Sequence, residues 1–346
     1  MCVPVAGPGE RRLRNRRQKG VTGKDMGFMT RFENHFEHIN REMRHPLVSS
    51  VPLIREMGEY SLLSEGKRLR PLLFVLTSHL CGYQGEDIYR ISTVFEYVHT
   101  ASLIHDDVLD DADVRRKKPS AKQVWGNLAA VLGGDFFYSK AAAIAIETGR
   151  HQLLELTNEA TLRMIEGQAL EMMHAYNWHL DKEQYMEIIR AKTAELMSAA
   201  CASGAIMAGA DAQRIDQLGH FGLNLGIAFQ LMDDILDYTS SEETFGKPVG
   251  KDLKEGKITL PLIYSLADLE PQEFKKLQDQ FKNRNPNSEE LERLISRVRK
   301  SGAVERIMAE AKEFANRAQG YLYGFPDSPA KDDLAALNAY LVERDH

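Results

Sequence analysis

Ile104-His105-Asp106-Asp107-Val108-Leu109-Asp110-Asp111-Ala112-Asp113 is the stretch on which both the fold and the chemistry turn. It closes an apolar segment, Val94 to Ile104, whose spacing reads as a helix. On that helix Asp106 and Asp110 share one face, and Asp107 and Asp111 share its neighbour. Like charges at that spacing repel by about 0.2–0.5 kcal/mol a pair, and Asp is a mediocre helix former. Five aspartates in eight positions are therefore unfavourable unless something neutralises them. Hard divalent cations do so through oxygen ligands.

The pattern recurs in Phe229-Gln230-Leu231-Met232-Asp233-Asp234-Ile235-Leu236-Asp237. Again an apolar helix carries two adjacent aspartates and a third one turn from the first. The plainer reading of one such cluster is a solvated, acidic helix end. Two copies embedded in Leu, Ile, Val, Phe and Met point instead to carboxylates facing an interior cavity. Facing clusters on two helices can hold several Mg²⁺ ions. Mg²⁺ keeps waters and completes its shell with substrate phosphates. That combination points to a diphosphate substrate.

Outward from the two clusters, helix signals dominate. Apolar residues recur at spacings of three and four over 121–147, 151–174, 183–207 and 211–238, and strand-type alternation is nearly absent. Pro71 marks a helix start, because its missing N–H is not needed at the first helical position. The breaks are short, except for the glycine- and charge-rich stretch 240–257. The spacing predicts an all-α domain of about a dozen helices, several of them longer than 20 residues. Gly133, Gly134, Gly204, Gly222 and Gly226 lie inside predicted helices, each at about 1 kcal/mol relative to Ala. Close helix packing is the plain explanation, and backbone approach to a ligand is the other.

The composition narrows the function. Of 346 residues, 50 are acidic and 44 basic, a net charge of −6 that argues against a nucleic-acid coat. Cys2, Cys81 and Cys201 form no CxxC pair, which fits a reducing compartment and a cytoplasmic protein. No apolar run reaches a membrane span. Residues 1–28 read as a basic leader or an upstream start ahead of Met26 or Met29, and residues 29–346 as one domain. They carry no apolar stretch of the secretory type; a transit peptide is the alternative.

Cations complete the picture. Gly66-Lys67-Arg68-Leu69-Arg70-Pro71 sets three of them before a helix, and Arg115-Arg116 follow the first aspartates directly. Lys192-Thr193 sits in mid-helix between apolar flanks, where a charge needs a reason. Lys247, Lys251, Lys254 and Lys257 follow the second cluster. Arginine suits phosphate because its planar fork bonds bidentately. The plainer reading of each patch is a solvated surface; for Lys192, with its core-like flanks, it is a stem that snorkels to solvent. No GxxxxGK[ST] or strand-linked GxGxxG occurs, so no nucleotide fold is signalled.

The two aspartate clusters resemble the paired motifs of trans-isoprenyl diphosphate synthases, including the long-chain octaprenyl and heptaprenyl type. Gly66–Pro71, His99, Arg115-Arg116, Gly134-Asp135, Lys192-Thr193, Phe229-Gln230, Gly246-Lys247 and Asp252–Pro261 resemble the family's other boxes, in order, from about residue 30 onward. Two departures, Lys117 after the arginine pair and Glu65 before Gly66, leave the proposed ligands in place. The resemblance implies an isoprenoid synthase fold, helices around a deep central cavity, and a homodimer. It implies that Asp106, Asp110 and Asp233 ligate three Mg²⁺ ions, with Asp107, Asp234 and Asp237 near or in the outer shell. Arg115, Lys192, Lys247 and Lys257 would hold the allylic diphosphate. Lys67, Arg70, His99 and Arg116 would hold isopentenyl diphosphate. Thr193 and Gln230 would line the carbon where charge develops.

Ala101 and Ser102 lie five and four residues before Asp106, about 6–7.5 Å along the helix. Short-chain members of the family place aromatic rings there. Small side chains predict an open cavity and a long-chain product for quinone side chains, with geranylgeranyl as the runner-up. Contact with a membrane surface at product release is a further expectation. Three other readings fit less of the sequence. A His-Asp phosphohydrolase lacks further histidines in pattern. A regulatory subunit would be expected to lose aspartates that are intact here. A terpene cyclase needs no second diphosphate site, against Lys67, Arg70 and Arg116.

Overall fold

A computed structural model describes residues 30–44, 49–62, 66–116, 118–240, 249–280 and 287–343. The basic leader 1–28, Glu65, Lys117 and Lys247 lie outside the described residues. Helices α1 (Glu33–Arg44), α2 (Pro52–Leu62) and α3 (Leu69–Leu80) precede the long α4 (Ile88–Leu109). A two-residue antiparallel ladder, β1 (Val114–Arg115) with β2 (Lys118–Pro119), pairs Val114 with Pro119 and Arg115 with Lys118. Then come α5 (Ala121–Trp125), α6 (Asn127–Glu147) and α7 (His151–Met173). Next, α8 (Lys182–Ile189), a π turn (Arg190–Ala194) and α9 (Glu195–Met207) follow one another without a gap. They lead to α10 (Ala212–Thr239). The remainder is α11 (Lys251–Lys254), α12 (Leu260–Leu266), α13 (Pro271–Gln280), α14 (Ser288–Lys300), α15 (Ala303–Leu322) and α16 (Pro329–Glu343).

The all-α expectation holds, and the helices outnumber the predicted dozen for local reasons. The run 121–147 is cut at Gly126, whose φ of 82° and ψ of 164° no helix accepts. Pro71 is the third residue of α3 rather than the first, still within the turn whose N–H groups lack intrahelical partners. Side chains cap several starts. Asp181 accepts from the Gln184 amide at 2.8 Å while Gln184 returns a bond to the Asp181 amide. Asp211 accepts from the Arg214 amide at 2.9 Å. Each such cap stabilises its helix by about 1 kcal/mol.

Helix α10 lies against α9 and α15, α9 against α3 and α7, and α4 against α6. This packing gathers the π turn and the C-terminal part of α10 at one cavity, while the C-terminal end of α4 lines a second. One exception meets the expectation of no membrane-length apolar run. Helix α6 is long and apolar enough to cross a bilayer by length and composition. Its Ala130, Gly133, Phe137, Ala141 and Ile144 are buried inside the protein. Cys81 and Cys201 are unpaired.

The mid-helix glycines serve packing. A Cβ at Gly204 would stand 2.1 Å from Thr77 Oγ1 and 2.6 Å from the Phe74 carbonyl oxygen, so only glycine lets α9 meet α3. Gly320 in α15 has nothing within 4 Å of that position. Gly204→Ala should therefore lower stability by about 1–3 kcal/mol. Gly320→Ala should raise it by about 0.5–1 kcal/mol. Urea unfolding midpoints moving in opposite directions would bear this out, and equal midpoints would contradict it.

Candidate active site

Asp106 and Asp107 occupy the last turn of α4, with Asp110 as its C-cap. The helix stops before Asp111, whose φ is 50°. Asp107 and Asp111 therefore do not share a helical face, contrary to the sequence expectation. The physical reason is electrostatic. A helix C-terminus carries partial negative charge, and further carboxylates in register would add to it. The outer two aspartates brace the chain instead. Lys122 pairs with Asp111 and lies 3.7 Å from Asp113. Gln123 also donates to Asp113.

The inner aspartates meet cations. Arg115 Nε donates to Asp107 Oδ1 at 2.6 Å, and Asp107 is 1 % exposed. Burial raises the pKa of Asp106, which Lys192 opposes. Burial also raises that of Asp107, opposed by Arg115. Lys257 Nζ lies 3.3 Å from Asp110 Oδ2 and 2.7 Å from Glu255 Oε2, joining the end of α4 to a segment 147 residues later. Burial alone would lower the Lys257 pKa, yet Glu171, Glu255 and Asp110 together drive it upward.

The π turn carries Lys192 and Thr193. One extra residue in the turn shifts them off the ordinary helical register, as such turns often do at functional sites. Lys192 Nζ is 2.5 Å from Glu171 Oε2 on α7. Thr193 Oγ1 donates to Gln230 Oε1 at 2.9 Å, and Gln230 Nε2 donates to Asp234 Oδ1 at 2.8 Å. Tyr185 Oη donates to the other oxygen of Asp234 at 2.6 Å. Burial holds Asp234 well above the usual carboxylate range, with the Asp252 charge adding and these two hydrogen bonds opposing. Asp237 accepts from the backbone amides of Lys251 and Asp252 at 3.2 and 3.3 Å, anchoring the return of the chain at α11. Lys192, Thr193, Gln230, Asp234, Lys257 and Glu171 line a cavity of about 150 Å³.

A second group of cations adjoins the first. Arg70, Arg116, Arg115 and Arg68 all act on His99, after burial, to hold its pKa well below 6.5. Burial pushes the Arg70 guanidinium down to about 10, with Glu96 and Asp233 opposing, and its Nε has no hydrogen-bond partner among the described residues. Arg68 serves the scaffold. Its φ is 47°, and its guanidinium bonds Glu96 at 2.7 Å, the Leu62 carbonyl at 2.5 Å and Asn40 at 3.2 Å. Lys67 is exposed at the same helix start. Ala101 is fully buried, while Ser102 is partly exposed and donates to the His99 carbonyl at 2.8 Å.

Sequence reasoning missed Glu171 and Tyr185. Glu171 had a signal, an acidic residue on a largely apolar stretch, the logic that singled out Lys192. Tyr185 had none. Among the described residues, no three carboxylate, histidine or cysteine side chains converge closely enough to hold a metal ion unaided. Mg²⁺ takes one or two protein carboxylates and completes its shell with water and substrate phosphate, a donor type that the aspartates of α4 and α10 supply.

His99 supplies a pH test. Its folded pKa lies below the unfolded value of about 6.5, so below that pH the unfolded chain binds a proton that the folded chain refuses. This contribution lowers stability as pH falls through the unfolded pKa and is absent above it. The drop in Tm between about pH 7.5 and pH 5.5 should be smaller in His99→Gln than in the wild type. An unchanged or larger drop would contradict the assignment.

Comparison with known proteins agrees with this geometry. A family model described as polyprenyl synthetase matches residues 51–298. Octaprenyl diphosphate synthase of Escherichia coli (strain K12) is 36 % identical over 307 residues, covering 89 % of this chain and 95 % of that protein. Heptaprenyl diphosphate synthase component 2 of Bacillus subtilis (strain 168) is 34 % identical, covering 88 % and 87 %. A crystal structure of polyprenyl synthase from Caulobacter crescentus CB15, complexed with calcium and isoprenyl diphosphate, superposes with a TM-score of 0.87 at 34 % identity. That match covers 95 % of this chain and 100 % of the other. With the fold and most of the sequence shared, the chain belongs to the polyprenyl synthetase family.

Proposed function

We propose that the chain is a trans-polyprenyl diphosphate synthase, which condenses isopentenyl diphosphate head-to-tail (1′-4) with an allylic diphosphate. The observation that carries this reading is the pairing of two differently built anion sites. One sets Lys192 and Lys257 among carboxylates at the cavity. The other gathers Arg70, Arg115 and Arg116 around a neutral His99. A single diphosphate needs only one of them. The names of the relatives, octaprenyl and heptaprenyl diphosphate synthases, support a long-chain, all-trans product for quinone side chains.

Asp106, Asp110 and Asp233 would hold Mg²⁺, three ions by the family resemblance, and the metal would supply charge neutralisation to the leaving diphosphate. Asp107, Asp234 and Asp237 would stand near or in the outer shell, where protein donors also hold them. Arg115, Lys192 and Lys257 neutralise the departing oxygens, and by the family resemblance Lys247 would join them. Thr193 and Gln230 present oxygen dipoles to the carbon as it becomes cationic. Lys67, Arg70, Arg116 and His99 orient isopentenyl diphosphate so that its double bond lies at attacking distance. The proton lost afterwards goes to the departing diphosphate. Ile188, Ile189 and Ile258 on the cavity wall keep water from the cation.

By the family resemblance, the small side chains of Ala101 and Ser102 would leave room for a growing tail, with tight packing of α4, where Ala101 is fully buried, as the plainer alternative. Helices α6 and α7 expose Leu128, Leu132, Ile146, Leu162 and Ile165, with Leu128 86 % exposed. Such a run of apolar side chains favours association, and we assign it to a second copy of the chain. The name of the Bacillus relative, a synthase component, favours a second reading in which another chain completes the enzyme. The unpaired Cys81 and Cys201 favour the cytoplasm. Residues 29–346 act as one catalytic domain, and the long product would leave toward a membrane surface.

The full chain with Mg²⁺, farnesyl diphosphate and labelled isopentenyl diphosphate should yield prenols longer than geranylgeraniol and elute at twice the chain's mass. No incorporation by the chain alone would favour the two-component reading. Asp106→Ala and Asp233→Ala should each lower kcat at least about a hundredfold while the fold persists. Rates near wild type in either would refute the assignment. Ser102→Phe should shorten the product; an unchanged ladder would place the cavity floor elsewhere.

A further inference from the structure

We propose that Tyr185, which belongs to no motif of the sequence, is a positioning residue for the condensation, fixing the amide of Gln230 through Asp234. The inference rests on the prenyl-transfer reading above. Three hydrogen bonds run in series from the π turn to α8. Thr193 Oγ1 donates to Gln230 Oε1, Gln230 Nε2 donates to Asp234 Oδ1, and Tyr185 Oη donates to Asp234 Oδ2. Their lengths are 2.9, 2.8 and 2.6 Å. All four residues line the same cavity.

The logic lies in the symmetry of a primary amide. Gln230 fits its space equally well with its oxygen or its nitrogen toward Thr193, but the two orientations present opposite dipoles. An oxygen of an ionised carboxylate, and equally the carbonyl oxygen of a protonated one, accepts hydrogen bonds and cannot donate them, and Asp234 Oδ1 is the oxygen that accepts from Gln230. Asp234 Oδ1 therefore selects the NH₂ group of Gln230 and sends Oε1 toward Thr193 and the cavity. A carboxylate that can rotate selects poorly. Tyr185 removes that freedom by holding the second oxygen. Asp234 is 2 % exposed and Tyr185 3 %, so bulk water does not replace the phenol. An oxygen dipole at that point favours an allylic cation; an NH₂ group there would oppose it.

The tyrosine ring also packs in the core around α10, α12 and α15, so a purely structural role is the competing explanation. Tyr185→Phe separates the two, because it keeps the ring and removes only the hydroxyl. The full-length variant is assayed with Mg²⁺, farnesyl diphosphate and isopentenyl diphosphate beside the wild type. The expected result is a kcat lower by about 10- to 100-fold, with KM for both diphosphates within about twofold and Tm close to wild type. In a Gln230→Leu background the same substitution should have almost no further effect on kcat, since the amide it orients is gone. The proposal is overturned by a kcat within about twofold of wild type in Tyr185→Phe, or by losses that multiply in the double variant. A fall in Tm with an unchanged kcat overturns it too, in favour of packing. A wild-type chain that makes no prenol removes the underlying reading, an outcome distinct from an active wild type indifferent to Tyr185→Phe.

Discussion

Asp106, Asp107 and Asp110 close α4, and Asp233, Asp234 and Asp237 lie within the last two turns of α10. Both clusters thus sit at helix C-termini, where the macrodipole and burial oppose negative charge together. The surrounding structure answers that constraint with cations brought from far along the chain. Arg115 folds back from the β1–β2 ladder onto Asp107, and Lys257 reaches Asp110 across 147 residues. Lys192 meets Glu171 and the field of Asp106 from the π turn.

The same lysines and arginines that quiet the carboxylates are those assigned to the diphosphates. This double use has a physical consequence. A buried ion pair contributes little net stability, because desolvation offsets its attraction. Exchanging a carboxylate partner for a diphosphate oxygen therefore need not be strongly uphill. The scaffold is held by other means. Arg68 is fully engaged by Glu96, Leu62 and Asn40, and Lys122 secures the outer aspartates. Gly204 lets α9 approach α3 closely. Charges that must change partners and charges that must not are carried by different residues.

The arginine group around His99 follows different physics. It gathers cations beside an imidazole that burial and their charge keep neutral, so the group attracts an anion without a further full charge to repel the rest. Among the described residues Arg70 carries a buried Nε without a partner, a donor that an incoming phosphate oxygen would satisfy.

By itself the sequence determined the all-α class, because periods of three and four persist through nearly every long segment and strand alternation does not. It also determined the chemistry of the site, because Asp, Arg and Lys in apolar helices are costly wherever they lie, and the two aspartate clusters are local patterns. Tertiary structure alone decided which of those residues are braces. Asp111 and Asp113 bind Lys122, Asp237 holds the amides at α11, and Arg68 locks a strained turn. It also recruited Glu171 and Tyr185, whose partners lie 21 and 49 residues away. Short-range spacing records which groups resist burial. Which neighbour relieves each of them is set by the packing of helices distant in the chain, and no local pattern encodes it.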